Sequence, residues 1–152
     1  RQMCIRDRLH EDDLGAGGLA LDGMNIVALG GLAQAAVRAC SPVSERAAGW
    51  TRAALDASLT SASLAYGRAA PMLAPGAVAS WARDAGAVAV ITPYAPVGWA
   101  AEALRAAETK LHDAGLHLHR LRRAFDTRCW PLARRGFFDF KAHIPALLKE
   151  LP

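Results

Sequence analysis

The sequence predicts an α/β fold, a three-layer Rossmann-like domain built on a parallel sheet, and three observations carry that expectation. Met24 to Leu29 and Ala87 to Thr92 are short, almost wholly apolar runs that end at glycine or proline, the pattern of strands covered on both faces. Stretches with apolar residues at helical spacing follow each of them. The order strand, helix, helix, strand, helix, strand is that of the right-handed crossovers in a doubly wound sheet.

Each element has its own signal. The first run closes on Gly30-Gly31. Ser41 followed by Pro42 supplies an N-cap and a first-turn proline, and Leu55, Leu59, Ala62 and Tyr66 then recur on one face until Gly67 ends the helix. Pro75 opens a shorter helix with Val78, Trp81, Ala82 and Ala85 on its apolar stripe and Gly86 as its stop. The strand Ala87 to Thr92 runs into a stiff loop, Pro93 to Gly98. A third helix, reaching His112, buries Ala100, Leu104, Ala107 and Leu111, turns Glu102, Arg105, Glu108 and Lys110 to water, and stops at Gly115. Leu116 to Leu121 alternates apolar residues with His117, His119 and Arg120, so this strand has a wetter face and belongs near a sheet edge.

The first eight residues stand apart. Arg-Gln-Met-Cys-Ile-Arg-Asp-Arg is what a transposase end sequence used in shotgun libraries spells when translated, so residues 1–8 are read as adapter and set outside the fold. Residues 9–152 are then one α/β domain, an N-terminally truncated piece of a longer bacterial protein from a metagenomic sequence, with Leu9 to Leu14 as the stump of an earlier strand. Without the three arginines and one aspartate of that segment the net charge falls from +4 to +2. What charge remains is uneven: Leu9 to His119 holds seven basic against ten acidic residues, Arg120 to Pro152 eight against three. Cys40 and Cys129 have no paired spacing, which excludes a disulfide scaffold or zinc knuckle and points to a reducing cytoplasm. Leu19 to Val37 is too broken by Asp22, Asn25, Gln34 and its glycines to read as a membrane span.

In parallel sheets ligands bind beyond the carboxyl ends of the strands, which selects His10 to Asp13, Gly30 to Gln34 and Pro93 to Gly98 for inspection. Neither Gly15-Ala16-Gly17-Gly18 nor Gly30-Gly31 makes a dinucleotide fingerprint. His10-Glu11-Asp12-Asp13 has metal-ligand residue types, but four adjacent side chains do not converge on one ion, and a solvated loop is the simpler reading. His117 and His119 share a strand face, a spacing suited to a metal or phosphate, with no third ligand evident; no metal site is assigned. No nucleophile turn or other catalytic constellation is present. From Phe125 through Trp130, Arg134, Arg135, Gly136, Phe137, Phe138 and Phe140 to Lys141, aromatics and cations mix more densely than elsewhere. Such a surface can track phosphates and stack on bases. The favoured expectation is that Trp130 and the three phenylalanines anchor the tail on the sheet or a neighbouring domain while the arginines stay solvated.

Val90-Ile91-Thr92-Pro93-Tyr94-Ala95-Pro96, then Asp126-x-x-x-Trp130-Pro131, Gly136-Phe137-Phe138-x-Phe140-Lys141 and Ile144-Pro145 resemble bacterial proteins related to DNA photolyases and cryptochromes, over Ala85 to Pro152. The resemblance implies the α/β domain of a flavoprotein whose helical FAD-binding domain, outside this chain, repairs DNA by light-driven electron transfer or serves photoreception, with an antenna chromophore held by the α/β domain. It implies an antenna pocket bordered by Tyr94 and Pro96; Pro93 and Gly30 are candidates by their strand-end position alone, where the ligand of a small-molecule-binding protein would sit over Gly30-Gly31 and Pro93 to Pro96. It implies an exit segment of Trp130, Gly136, Phe138 and Phe140, flanked by Arg134 and Arg135, that meets the helical domain, and DNA as a further partner. Ile91 and Thr92 stand where familiar photolyases often have an asparagine. The residues themselves leave two alternatives, a small-molecule or nucleotide-binding α/β protein and a docking module. Trp50, Trp81 and Trp99 are expected in helix packing.

Overall fold

The computed structural model describes residues 2–5, 21, 23–32, 42–74, 76–95 and 97–149. Its strands are β1 (Gln2–Ile5), β2 (Asn25–Ile26), β3 (Gly31–Leu32), β4 (Met72–Leu73), β5 (Ala89–Pro93) and β6 (His117–Leu121). Its helices are α1 (Glu45–Tyr66), α2 (Val78–Asp84), α3 (Trp99–Asp113), α4 (Ala124–Cys129) and α5 (Phe137–Lys149), with a 3-10 turn over Trp130–Leu132. Every strand pair is parallel: β2-β1-β5-β6 form one series, and β3 and β4 pair separately. The chain is thus a mixed α/β structure with short parallel pairings, of which β5 with β6 is the most extended.

The apolar sequence of β5 accounts for its place. All five of its residues are buried, and its neighbours Val90 and Ile91 enter different clusters, as alternation along a strand requires. Val90 packs with Val78 and Ala82 of α2, Leu104 and Leu111 of α3, and Leu116. Ile91 packs with Leu29, with Tyr66 of α1 and Leu121 around them. The stripes expected of the helices are observed in part: Leu55, Leu59 and Ala62 of α1, Val78 and Ala82 of α2, Leu104 and Leu111 of α3 are buried, whereas Tyr66, Trp81, Ala85, Ala100 and Ala107 are half-buried. Gly67 and Gly86 end their helices with φ of 61° and 69°, a region that favours glycine.

Four features differ from the sequence reading. Gln2–Ile5, set outside the fold, forms β1: Gln2 and Met3 pair with Asn25 and Ile26, Cys4 and Ile5 with Val90 and Ile91. An extended tetrapeptide supplies the ladder such a position needs, whatever codons encode it. The run Met24 to Leu29 pairs only over Asn25–Ile26; the chain then enters a second pair through Gly31 and Leu32, opposite Met72 and Leu73. That pairing depends on glycine, because a Cβ on Gly30 would lie 2.7 Å from Leu73 Cδ1 and one on Gly31 2.9 Å from Leu59 Cδ2. The first helix is capped by Ser44, whose hydroxyl accepts the Ala47 N–H at 3.3 Å, so the observed cap lies three residues beyond the expected Ser41. Lastly, the aromatic tail does not bury itself: none of the residues of α5 is buried. Leu9 to Leu14, Ser41, Pro75 and Pro96 lie outside the described residues.

Candidate functional site

The carboxyl ends of β5 and β6 lie side by side, with Pro93 opposite Leu121. Immediately beyond them the Tyr94 N–H donates to the Leu121 carbonyl at 2.8 Å, which holds the loop against the exit of β6. One residue after the end of β5 and one after the end of β6, Tyr94 and Arg122 therefore emerge together. The Arg122 guanidinium stands 4.7 Å from the Tyr94 ring centre and 4.8 Å from that of Trp130, and the two rings meet edge to face at 5.3 Å. Cation–π contact and edge-to-face packing each stabilise such a cluster by about 0.5–1.5 kcal/mol where it is partly exposed.

Local structure brings Trp130 there. Arg123 precedes α4 and its Nε–H donates to Asp126 in the first turn at 3.0 Å, fixing the angle at which α4 leaves β6. α4 is short and passes directly into the Trp130–Leu132 turn, whose second residue is Pro131. Cys129, buried at the end of α4, anchors that junction.

Gly136, at φ 94°, then turns the chain into α5, and its carbonyl accepts the Phe140 N–H at 3.2 Å. Phe137 and Phe138 follow at once, 64% and 84% exposed, their rings 5.7 Å apart and edge to face. Phe140, His143, Ile144 and Leu147, at helical spacing, are only half-buried. Arg134, Arg135 and Lys141 are exposed around them. Of the residues expected to anchor the tail, Trp130 is engaged by Tyr94 and Arg122, Phe140 is half-covered, and Phe137 and Phe138 face solvent.

Of the residues expected at an antenna pocket, Tyr94 and Pro93 lie at this strand end, and Pro96 lies outside the described residues. Gly30 is buried, and a Cβ there would press on Leu73 and Trp81. Trp81 and Trp99 pack against the core cluster, while Trp50 is exposed on α1. A groove of about 450 Å³ beside α1 is lined by Asp56, Thr60, Ser63 and Pro71 among others and holds one titratable side chain, Asp56. Among the described residues no group of three or more His, Cys, Asp and Glu could hold a metal ion, and no helix is long and apolar enough to cross a membrane.

Arg122 is the residue that sequence reading missed. It followed a strand, as did Tyr94, but nothing in the spacing of residues 94, 122 and 130 tells that they meet. Comparison with family models, characterised proteins and solved structures finds no match to the chain.

Proposed function

We propose that this chain is the α/β unit of a photolyase-related flavoprotein, with a three-layer Rossmann-like arrangement of the photolyase type, and that its role is structural: it seats a helical FAD-binding domain against its exit segment. The observation that carries the reading is the exposure of Phe137 and Phe138 at the head of a helix without one buried residue. Adjacent phenylalanines left in water are costly, at about 1.5–3 kcal/mol each relative to burial, and an apolar surface of this kind marks a contact. The motif resemblance over Ala85 to Pro152 supplies the identity of the partner. Catalysis, whether light-dependent repair of DNA or photoreception, then belongs to the FAD-binding domain, in a cytoplasmic protein.

An antenna chromophore is the second part of the reading. Tyr94 and Trp130 border the strand ends, where open α/β sheets bind ligands. Arg122 between two aromatic rings favours, as the alternative function, a small-molecule or nucleotide-binding α/β protein, since a cation beside π faces suits an anionic, planar ligand.

The test is to read the continuous coding sequence across Leu9 from the source DNA by long-read sequencing. In-frame sequence for a helical flavin-binding domain is the expected result. A start codon close to Leu9, with no such domain in the frame, overturns the flavoprotein reading and leaves the ligand-binding one.

A further inference from the structure

We infer that His117 and His119 form a two-histidine chelate for a late first-row divalent ion, nickel, copper or zinc, on the outer strand of the sheet. The inference is independent of the flavoprotein reading. The two residues are alternate members of β6, so the pleat sends both imidazoles to one side. Both are exposed, whereas Leu118 between them packs with the core cluster of Val90, Leu104 and Leu111. β6 ends the strand series among the described residues, paired only with β5, so the approach from its free side is open there.

The distances suit one ion. The ring centres are 6.5 Å apart with a tilt of 40°. Imidazole nitrogens at about 2.0–2.1 Å from a shared ion, at a tetrahedral angle, put the ring centres about 5 Å apart. A closure of about 1–2 Å is within the reach of staggered χ1 changes and the broad χ2 torsion of exposed histidines, so no backbone movement is needed. Two imidazoles from one rigid strand leave the remaining positions to water, an arrangement that square-planar and octahedral ions tolerate better than a closed structural zinc site does.

The neighbouring cation is turned away from the pair. The nearest cation in sequence, Arg120, falls on the opposite face, where its guanidinium is engaged by Glu108 of α3. The backbone under the pair is firm: Ala89 and Ile91 of β5, both buried, lie opposite His117 and His119. The chelate therefore exists in the folded strand and not in the unfolded chain, and an ion that binds it stabilises the fold by mass action.

The probe is NiCl2, which is not reduced by Cys4, Cys40 or Cys129, titrated calorimetrically into the untagged 152-residue protein, with ZnCl2 as a second ion and thermal unfolding followed in parallel. The expected result is a single equivalent site and a rise in Tm on adding nickel. His117→Ala and His119→Ala each weaken binding at least about tenfold, since each removes one of the two protein nitrogens. The variant His119→Ala/Arg120→His keeps two imidazoles in β6 but sends them to opposite faces, and binds nickel no better than His119→Ala. Unchanged nickel affinity in either single variant, or affinity restored in the relocated variant, overturns the proposal. Tm values without metal show whether each variant is folded.

Discussion

Tyr94 and Trp130 meet edge to face with ring centres 5.3 Å apart, although they leave different elements and stand far apart in sequence. Arg122 lies against both rings and so ties the loop after β5 to the turn after α4. Trp130→Ala removes the edge-to-face contact and one cation–π contact together and is expected to cost about 1–3 kcal/mol. Urea unfolding checks this; a loss below about 0.3 kcal/mol contradicts the cluster's role. Arg122→Ala costs less, because Tyr94 and Trp130 still touch.

Gly31 and Gly49 differ in a way that a pair of substitutions exposes. A Cβ on Gly31 meets Leu59 Cδ2 at 2.9 Å and Leu55 Cδ1 at 3.3 Å, so Gly31→Ala overpacks the core and destabilises by about 1–3 kcal/mol. A Cβ on Gly49, inside α1, meets nothing within 4 Å, so Gly49→Ala stabilises by about 0.5–1 kcal/mol. Opposite signs in denaturant unfolding are the predicted outcome. Equal signs refute the close packing of β3 on α1.

Leu104 is 1% exposed and touches the cluster that holds α2, α3 and β5 together. Leu104→Ala is expected to cost about 2–5 kcal/mol, a large part of the stability of a domain this size. Thermal unfolding by circular dichroism measures it, and a cost under 1 kcal/mol places Leu104 outside the core.

Ser44→Ala removes the acceptor for the Ala47 N–H and is expected to cost about 0.5–2 kcal/mol. The same measurement on Ser41→Ala separates the cap seen in the structure from the cap the sequence suggested. The larger loss belongs to Ser44.

The sequence was most legible where burial and periodicity agree. Leu55, Leu59 and Ala62, or Leu104 and Leu111, repeat at helical spacing because each helix has one covered face, and the apolar run of β5 reflects cover on both sides. The place of β6 at the end of the described strand series is visible in His117 and His119. What could not be read depends on contacts between distant segments. Gly30 and Gly31 looked like a strand terminator because nothing local shows that Leu73 and Leu59 press on them. Gln2–Ile5 was assigned by the origin of its codons, whereas pairing depends on its backbone alone. Phe137, Phe138 and Phe140 have a burial preference, but preference does not say whether the covering surface belongs to this fold or to a partner. Arg122 went unnoticed because cation–π contacts leave no periodic signal.

Phe137 and Phe138 are the large apolar side chains left exposed at the head of α5. As exposed residues they contribute little to this fold, so Phe137→Ser/Phe138→Ser changes the stability of the chain by no more than about 0.5 kcal/mol per site. If the chain seats an FAD-binding domain as proposed, the same change is expected to loosen that seating, read as faster limited proteolysis between the two domains. A loss of several kcal/mol in the chain alone contradicts the exposure of these rings.

The most direct measurement is the absorbance spectrum of the protein purified from its intact coding sequence. A yellow protein, whose flavin absorption is stoichiometric with the chain and is released as FAD on denaturation, is the expected result of the flavoprotein proposal. A colourless protein that remains folded, and does not take up added FAD, contradicts it.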